Sequence, residues 1–202
     1  MAHNLVTLDL EGVLVPEVWI AFAEKTGINA LAKTTRDIPD YDELMSGRLK
    51  LLAEHGLTLS MIQEVIATLQ PLPGACDFLD RLREKTQVVI LSDTFEEFAQ
   101  PLMRQLGWPT IFCHRLEVRD DRVTGYHLRQ ADQKRKAVAA FRGLKYHVIA
   151  AGDSYNDTTM LSEAHHGILF RAPDKVKMEF SQFPAFETYQ DLLERISDLL
   201  EK

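Results

Sequence analysis

The stretch Leu5-Val-Thr-Leu-Asp-Leu-Glu-Gly-Val-Leu-Val15 decides how the chain reads. A short apolar run carries an acid at Asp9, a second at Glu11, and then Gly12. In an extended chain alternate side chains share a face, so the two carboxylates point the same way from the strand's end. Two such charges about 4 Å apart repel by roughly 4 kcal/mol at an effective dielectric of about 20. A cation or a shared proton relieves that cost. The competing reading is a strand that simply ends in an acidic turn.

Past this strand, Pro16 fits the first turn of a helix that runs through Val18 and Phe22 to a stop at Gly27. To about Leu69 the signals stay helical. Asp40 with Glu43, and Ser60 with Gln63, read as capping boxes. Residues 16–71 are therefore expected to be an all-helical insertion, with residues 1–15 and 72–202 forming the core. From Ala75 onward strands and helices alternate. Strands are expected at Val88–Leu91, Thr110–Cys113, His147–Ala151 and Ile168–Phe170, with a further one at Phe186. A hairpin should join Leu116–Val118 to Tyr126–Leu128, Thr94 with Glu97 should cap a helix, and Tyr189 to Leu200 should close the chain as an amphipathic helix. Apolar strands alternating with helices mean α/β architecture, a Rossmann-like, doubly wound, mostly parallel sheet covered on both faces.

Composition narrows the partners. With 202 residues, 46% hydrophobic and 26% charged, the chain fits one large domain or a core with an insertion. A net charge of −7 argues against nucleic acid and anionic membranes, which want basic patches. No apolar run is long enough to span a bilayer, and no secretion signal is expected. Cys76 and Cys113 lack CxxC spacing, so a cytoplasmic protein with reduced thiols is expected. His165 and His166 are adjacent and do not share a helix face, so they read as loop residues rather than metal ligands.

Ligands of open parallel sheets bind at the carboxyl ends of strands. Three apolar runs end there in polar residues: Asp9 with Glu11, Ser92 with Asp93, and Asp153. Taken singly, Ser92 could satisfy a turn and Asp153 could cap a helix. Lys134 lies in the basic run Gln133-Lys-Arg-Lys136, which could be a solvated face, and Asn156 could be an N-cap.

Together, Asp9-Leu-Glu11, Ser92, Lys134 and Gly152-Asp-Ser-Tyr-Asn-Asp157 resemble the four ordered motifs of haloacid dehalogenase-like phosphatases. Within that superfamily the chain is most similar to phosphoserine phosphatases, of the bifunctional type that also passes phosphate to homoserine. The resemblance implies Mg²⁺ held by Asp9, Asp153 and the backbone carbonyl of Glu11, with Asp157 behind them. It implies Asp9 as nucleophile and Glu11 as general acid and base. Ser92, Asp93, Lys134 and Asn156 fall at the phosphate. In the helical cap, Arg48 is implied at the substrate carboxylate, Glu17 at its ammonium, and Tyr41 as an aromatic wall. Two positions depart from the pattern. Glu11 stands where most relatives have Asp, and Ser154-Tyr155 replaces a smaller pair and brings a phenol near the site. The sequence leaves open another small phosphomonoester as substrate and, from a different class, a phosphoaccepting receiver-like signalling domain. It is silent on whether the protein is a monomer or a homodimer.

Overall fold

Seven strands line up as one sheet in the computed structural model, which describes residues 3–34, 37, 38 and 40–201. They are β1 (His3–Leu8), β2 (Gln87–Phe95), β3 (Thr110–Arg119), β4 (Arg122–His127), β5 (Tyr146–Gly152), β6 (His166–Phe170) and β7 (Ala185–Phe186). Their order is β4-β3-β2-β1-β5-β6-β7, and every neighbouring pair is parallel except β3 with β4. The chain winds from β1 outward through β2 and β3, then returns to lay β5 on the other side of β1. The reversal falls between β1 and β5, where Leu8 pairs with Ala151 and the Asp9 amide donates to the Ala151 carbonyl at 3.0 Å. That crevice is where an open α/β sheet presents its ligand site.

Period-two alternation feeds the two faces. Val6, Leu8, Ile90, Ile149 and Ala151 face one layer, built from α4 (Ala75–Arg83), α5 (Glu96–Gln105) and α9 (Tyr189–Leu200). Leu5, Val89, Leu91, Val148 and Ala150 face the other, built from α6 (Gln133–Gly143), α7 (Thr158–Glu163) and α8 (Asp174–Glu179). Residues 16–71 hold α1 (Val18–Thr26), a short 3-10 turn at Asn29–Ala32, α2 (Tyr41–Glu54) and α3 (Leu59–Thr68), with no strand among the described residues. Phe22, Met45 and Ile62 from this block belong to the same apolar cluster as Phe98 and Leu102 of α5.

Several local expectations are corrected. Helix α1 starts at Val18, capped in position by Glu17, and Pro16 precedes it. Thr58, not Ser60, caps α3, its hydroxyl accepting from the Met61 amide; Ser60 instead bonds the Asp121 carboxylate across the hairpin turn. Thr94 caps nothing, because β2 runs on to Phe95, and Glu97 accepts from the Leu116 amide. β3 is likewise one strand from Thr110 to Arg119, so the short gap expected at His114 does not exist. The hairpin turn at Asp120-Asp121 has φ 48° and 61°, the left-handed pair that a two-residue hairpin loop requires. Asp40 does cap α2, accepting from the Glu43 amide at 2.8 Å.

Candidate active site

Asp9 and Asp153 are the residues immediately after the two strands that flank the reversal in sheet order, and both are buried. Asp157 joins them from a 3-10 turn at Tyr155–Asp157, closed by a reciprocal capping box with Ser154. One carboxylate oxygen of Asp157 accepts from the amides of Asp153 and Ser154, at 3.0 and 3.1 Å. The other accepts from Lys134 Nζ at 2.8 Å. Two glycines make room for these acids. A Cβ on Gly152 would stand 2.4 Å from Asp157 Cγ, and one on Gly12 would stand 2.6 Å from an Asp153 carboxylate oxygen. Gly12 also sits at φ +79°, where other residues are strained.

Lys134 is delivered by helix periodicity. It lies three and four residues before Ala137 and Val138, so it shares their buried face, whereas Lys136 points to solvent. The solvated-face reading therefore holds for Lys136 and fails for Lys134, which is only 3% exposed. Its ammonium bridges Asp9 and Asp157, at 2.8 Å from each, and lies 3.6 Å from Asp93. Burial opposes that charge, but Asp157, Asp9 and Asp93 outweigh it and hold Lys134 well above its usual value.

The carboxylates show what else the cluster needs. Burial and the nearby Asp157 push the Asp9 carboxyl well above the usual range; Lys134 offsets only part, and Asp153 adds to the rise. Asp9, Asp153 and Asp157 each offer an oxygen within 4.8 Å of the others. Three buried carboxylates against one ammonium leave an excess of negative charge on hard oxygen donors, and that donor set fits a small divalent cation such as Mg²⁺. Both Asp157 oxygens already accept hydrogen bonds, one from Lys134 and the other from the amides of Asp153 and Ser154.

β1 ends at Leu8, so the strand alternation does not extend through Asp9 and Glu11. The like-charge neighbour of Glu11 is Glu17, with which it shares a hydrogen bond. Burial, then Glu17, raise the Glu11 carboxyl to about 8 against bonds from the Val18 amide and Thr94. The Val18 amide, the first of α1, donates to Glu11 at 3.0 Å, so the same carboxylate anchors the helical block. A consequence is measurable. The folded protein holds a proton on Glu11 that the unfolded chain, at 4.5, releases sooner. The contribution of Glu11 to stability is therefore fully present below that window and is lost as pH rises from 4.5 to about 8. Glu11→Gln should remove its share of the fall in urea unfolding across this range; an unchanged pH dependence would contradict the assignment.

Asp9 and Glu11 face one cavity of about 100 Å³. Asp9, Glu11, Glu17, Tyr41, Arg48, Ser92, Asp93, Lys134, Asp153 and Asn156 all line it, and Asp157 is wholly buried. Ser92 reaches it from β2, and Asn156 from the 3-10 turn, its amide donating to Asp93 at 3.1 Å rather than capping a helix. Burial disfavours the Asp93 anion, yet Lys134, the nearby His114 ring, and hydrogen bonds from Asn156 and Gln133 hold it well below the usual carboxylate range. As an anion, the Asp93 side chain holds Asn156, Gln133 and Lys134 around it.

Arg48 is no surface arginine: it is 7% exposed, its guanidinium lies 4.4 Å over the Trp19 ring, and one terminal nitrogen donates to the Lys33 carbonyl at 2.7 Å. Burial lowers it to about 10, with Glu11, Tyr41 and Glu17 pulling the other way. Its Nε has no partner among the described residues. Glu17 faces the cavity while Val18 packs in the core, and Tyr41 donates to the Asp93 carbonyl at 3.2 Å. The Tyr155 phenol turns away instead, donating to Glu179 at 2.8 Å, and lines a larger adjoining cavity of about 830 Å³. His166 lies in β6 and His165 accepts from the Val148 amide at 3.0 Å. Sequence reading missed His114 and Gln133, both buried against Asp93. No helix among the described residues is long and apolar enough to cross a membrane.

Comparison with known proteins agrees with this geometry. A family model described as haloacid dehalogenase-like hydrolase matches residues 3–165. The chain is 71% identical over 190 residues to the phosphoserine phosphatase ThrH of Pseudomonas aeruginosa, covering 94% of this chain and 93% of that protein. It is 66% identical to a phosphoserine phosphatase of Pseudomonas syringae pv. tomato, covering 95% and 81% respectively. Among solved structures, a phospho-aspartyl intermediate analogue of phosphoserine phosphatase superposes with a TM-score of 0.79 at 20% identity, over 96% of this chain and 99% of that one. The reversal in sheet order, the acids that follow its two strands and the family match lead to one conclusion: the chain belongs to the haloacid dehalogenase-like hydrolases.

Proposed function

We propose that the protein is a Mg²⁺-dependent phosphoserine phosphatase that works through an aspartyl-phosphate on Asp9 and also passes the phosphoryl group to homoserine. The observation that carries this reading is the meeting of two charge clusters in one small cavity. Asp9, Asp153 and Lys134 form the first; Arg48, Glu17, Glu11 and Tyr41 form the second. The first suits a phosphate and its cation, the second an amino acid's carboxylate and ammonium. The names of the two Pseudomonas relatives support the same substrate.

Asp9, Asp153 and the Glu11 carbonyl would hold Mg²⁺, which would supply the positive charge that lets one anion approach another. An Asp9 oxygen attacks phosphorus as the bond from phosphorus to the serine oxygen breaks, and Glu11 gives that oxygen its proton. A carboxyl raised to about 8 is protonated at neutral pH, as this step needs. Water then delivers a proton to Glu11 and oxygen to phosphorus, restoring Asp9. Ser92, Lys134 and Asn156 hold the equatorial oxygens as charge spreads there. The helical block of residues 16–71 is the cap: it brings Arg48 and Glu17 over the core residues and keeps the intermediate from bulk water. Homoserine's hydroxyl replaces water when it enters this cavity first. Free thiols at Cys76 and Cys113 suit a cytoplasmic setting.

Incubation with phosphoserine, Mg²⁺ and homoserine should yield serine, inorganic phosphate and O-phosphohomoserine. Absence of the last leaves a simple phosphatase, and stable phosphorylation without turnover would point instead to a receiver-like domain. Arg48→Ala should raise KM for phosphoserine by about a hundredfold, the value of a charged hydrogen bond of roughly 3 kcal/mol, while an aryl phosphate is little affected. Equal effects on the two esters would remove Arg48 from substrate recognition.

A further inference from the structure

His114 lies in the middle of β3 and is 4% exposed, with its ring 6.3 Å from those of Phe95 and Tyr41. A ring needed only to fill this space could be apolar. Here both nitrogens are engaged. Nδ1 accepts from the Arg129 amide at 3.1 Å, so in the neutral ring the proton resides on Nε2. Nε2 faces Asp93 Oδ1 at 3.6 Å, long for a full hydrogen bond and therefore chiefly a dipole-to-charge contact. Gln133 Nε2 meets the same oxygen at 3.2 Å and the Ser92 carbonyl at 2.7 Å, and its amide orientation is fixed by Arg129, which donates to Gln133 Oε1 at 2.8 Å.

Asp93 has a second oxygen with a different role. Oδ2 accepts from Asn156 at 3.1 Å and lies 3.6 Å from Lys134 Nζ. A carboxylate is rigid, so donors on one oxygen aim the other. His114 and Gln133 thus fix where Asn156 and Lys134 stand, though neither lies at the phosphate.

We infer that His114 is a positioning residue: through Asp93 it sets the two groups that grip the transferring phosphoryl oxygens. The inference rests on the phosphatase reading above and adds a residue to it. Its signature is on the phosphoryl step, since Arg48 and Glu17 hold the amino-acid end independently.

The test compares His114→Gln, which keeps a donor at the Nε2 position, with His114→Asn, which keeps only the reach of Nδ1, and His114→Phe, which keeps volume alone. With Mg²⁺ and phosphoserine, H114Q should stay within about threefold of wild-type kcat. H114N and H114F should lose about tenfold or more, with KM unchanged. Asp93→Asn should cost a similar factor, and adding it to H114F should cost no more, because both act along one path. Wild-type kcat in H114N with loss in H114Q would assign His114 to the Arg129 amide alone. Equal losses in H114Q and H114F, or additive losses in the double variant, would also overturn the inference. If H114F does not fold, the H114Q and H114N pair decides, with urea midpoints checking that both are native. A wild-type protein inactive on phosphoserine would overturn the proposed function alone; the same series is then read on p-nitrophenyl phosphate, which presents the same phosphoryl end.

Discussion

Asp9→Asn should abolish phosphoserine turnover, lowering kcat by at least about ten-thousandfold, or about 5 kcal/mol of barrier, while the protein stays folded. The amide keeps the shape of the side chain but cannot form the covalent bond to phosphorus. Burial and Asp157 already oppose the Asp9 anion in the fold. Removing that acid therefore relieves repulsion even as Lys134 loses one of its three carboxylates, and Asp157 and Asp93 remain to hold the ammonium. The urea midpoint in chelator should accordingly match or exceed wild type. Retained hydrolysis would overturn the nucleophile; collapse of the fold would overturn the electrostatic reading of the cluster.

Lys134→Met should be costly to the fold and to activity. It leaves the buried Asp9 and Asp157 and the half-buried Asp93 around an apolar side chain with no ammonium. Breaking a buried ion cluster by removing one partner costs about 3–5 kcal/mol, because the remaining charges stay desolvated. The deficit should be larger at about pH 8 than at about pH 5, where the carboxyls can take up protons. Added Mg²⁺ should restore part of it. Turnover should fall by about a hundredfold to a thousandfold, the range for losing a charge-stabilising donor at a reacting centre. Denaturant unfolding with and without Mg²⁺, beside single-turnover rates, checks both halves. A variant as stable as wild type in chelator would show that the three acids are not held by Lys134.

What could be read from the chain was whatever a strand's end makes obvious. Asp9, Ser92 and Asp153 close apolar runs, and a parallel sheet brings such ends to one edge. The helices of residues 16–71 were legible because they carry helical spacing with no competing strand signal. Lys134 came from its motif, and the structure supplies the reason: Ala137 and Val138 turn its face inward. The caps at Ser60 and Thr94 failed for another reason. A hydroxyl three residues before a polar side chain looks the same whether it caps a helix, sits within α3 and bonds a hairpin turn, or ends a strand. His114 and Gln133 escaped because their partners are distant in sequence. Gln133 looked like one more member of a basic run, and His114 fell in what read as a break between strands. The alternation of His114, Leu116 and Val118 with Arg115, Glu117 and Arg119 is the signal that could have found it.

The most direct test of the account is to catch the phosphoryl group on its carrier. Protein turning over phosphoserine with Mg²⁺, quenched in acid and digested, should yield a phosphorylated peptide containing Asp9, absent from Asp9→Asn and lost when homoserine or time allows discharge. Full turnover with no phosphate ever found on Asp9 would contradict it.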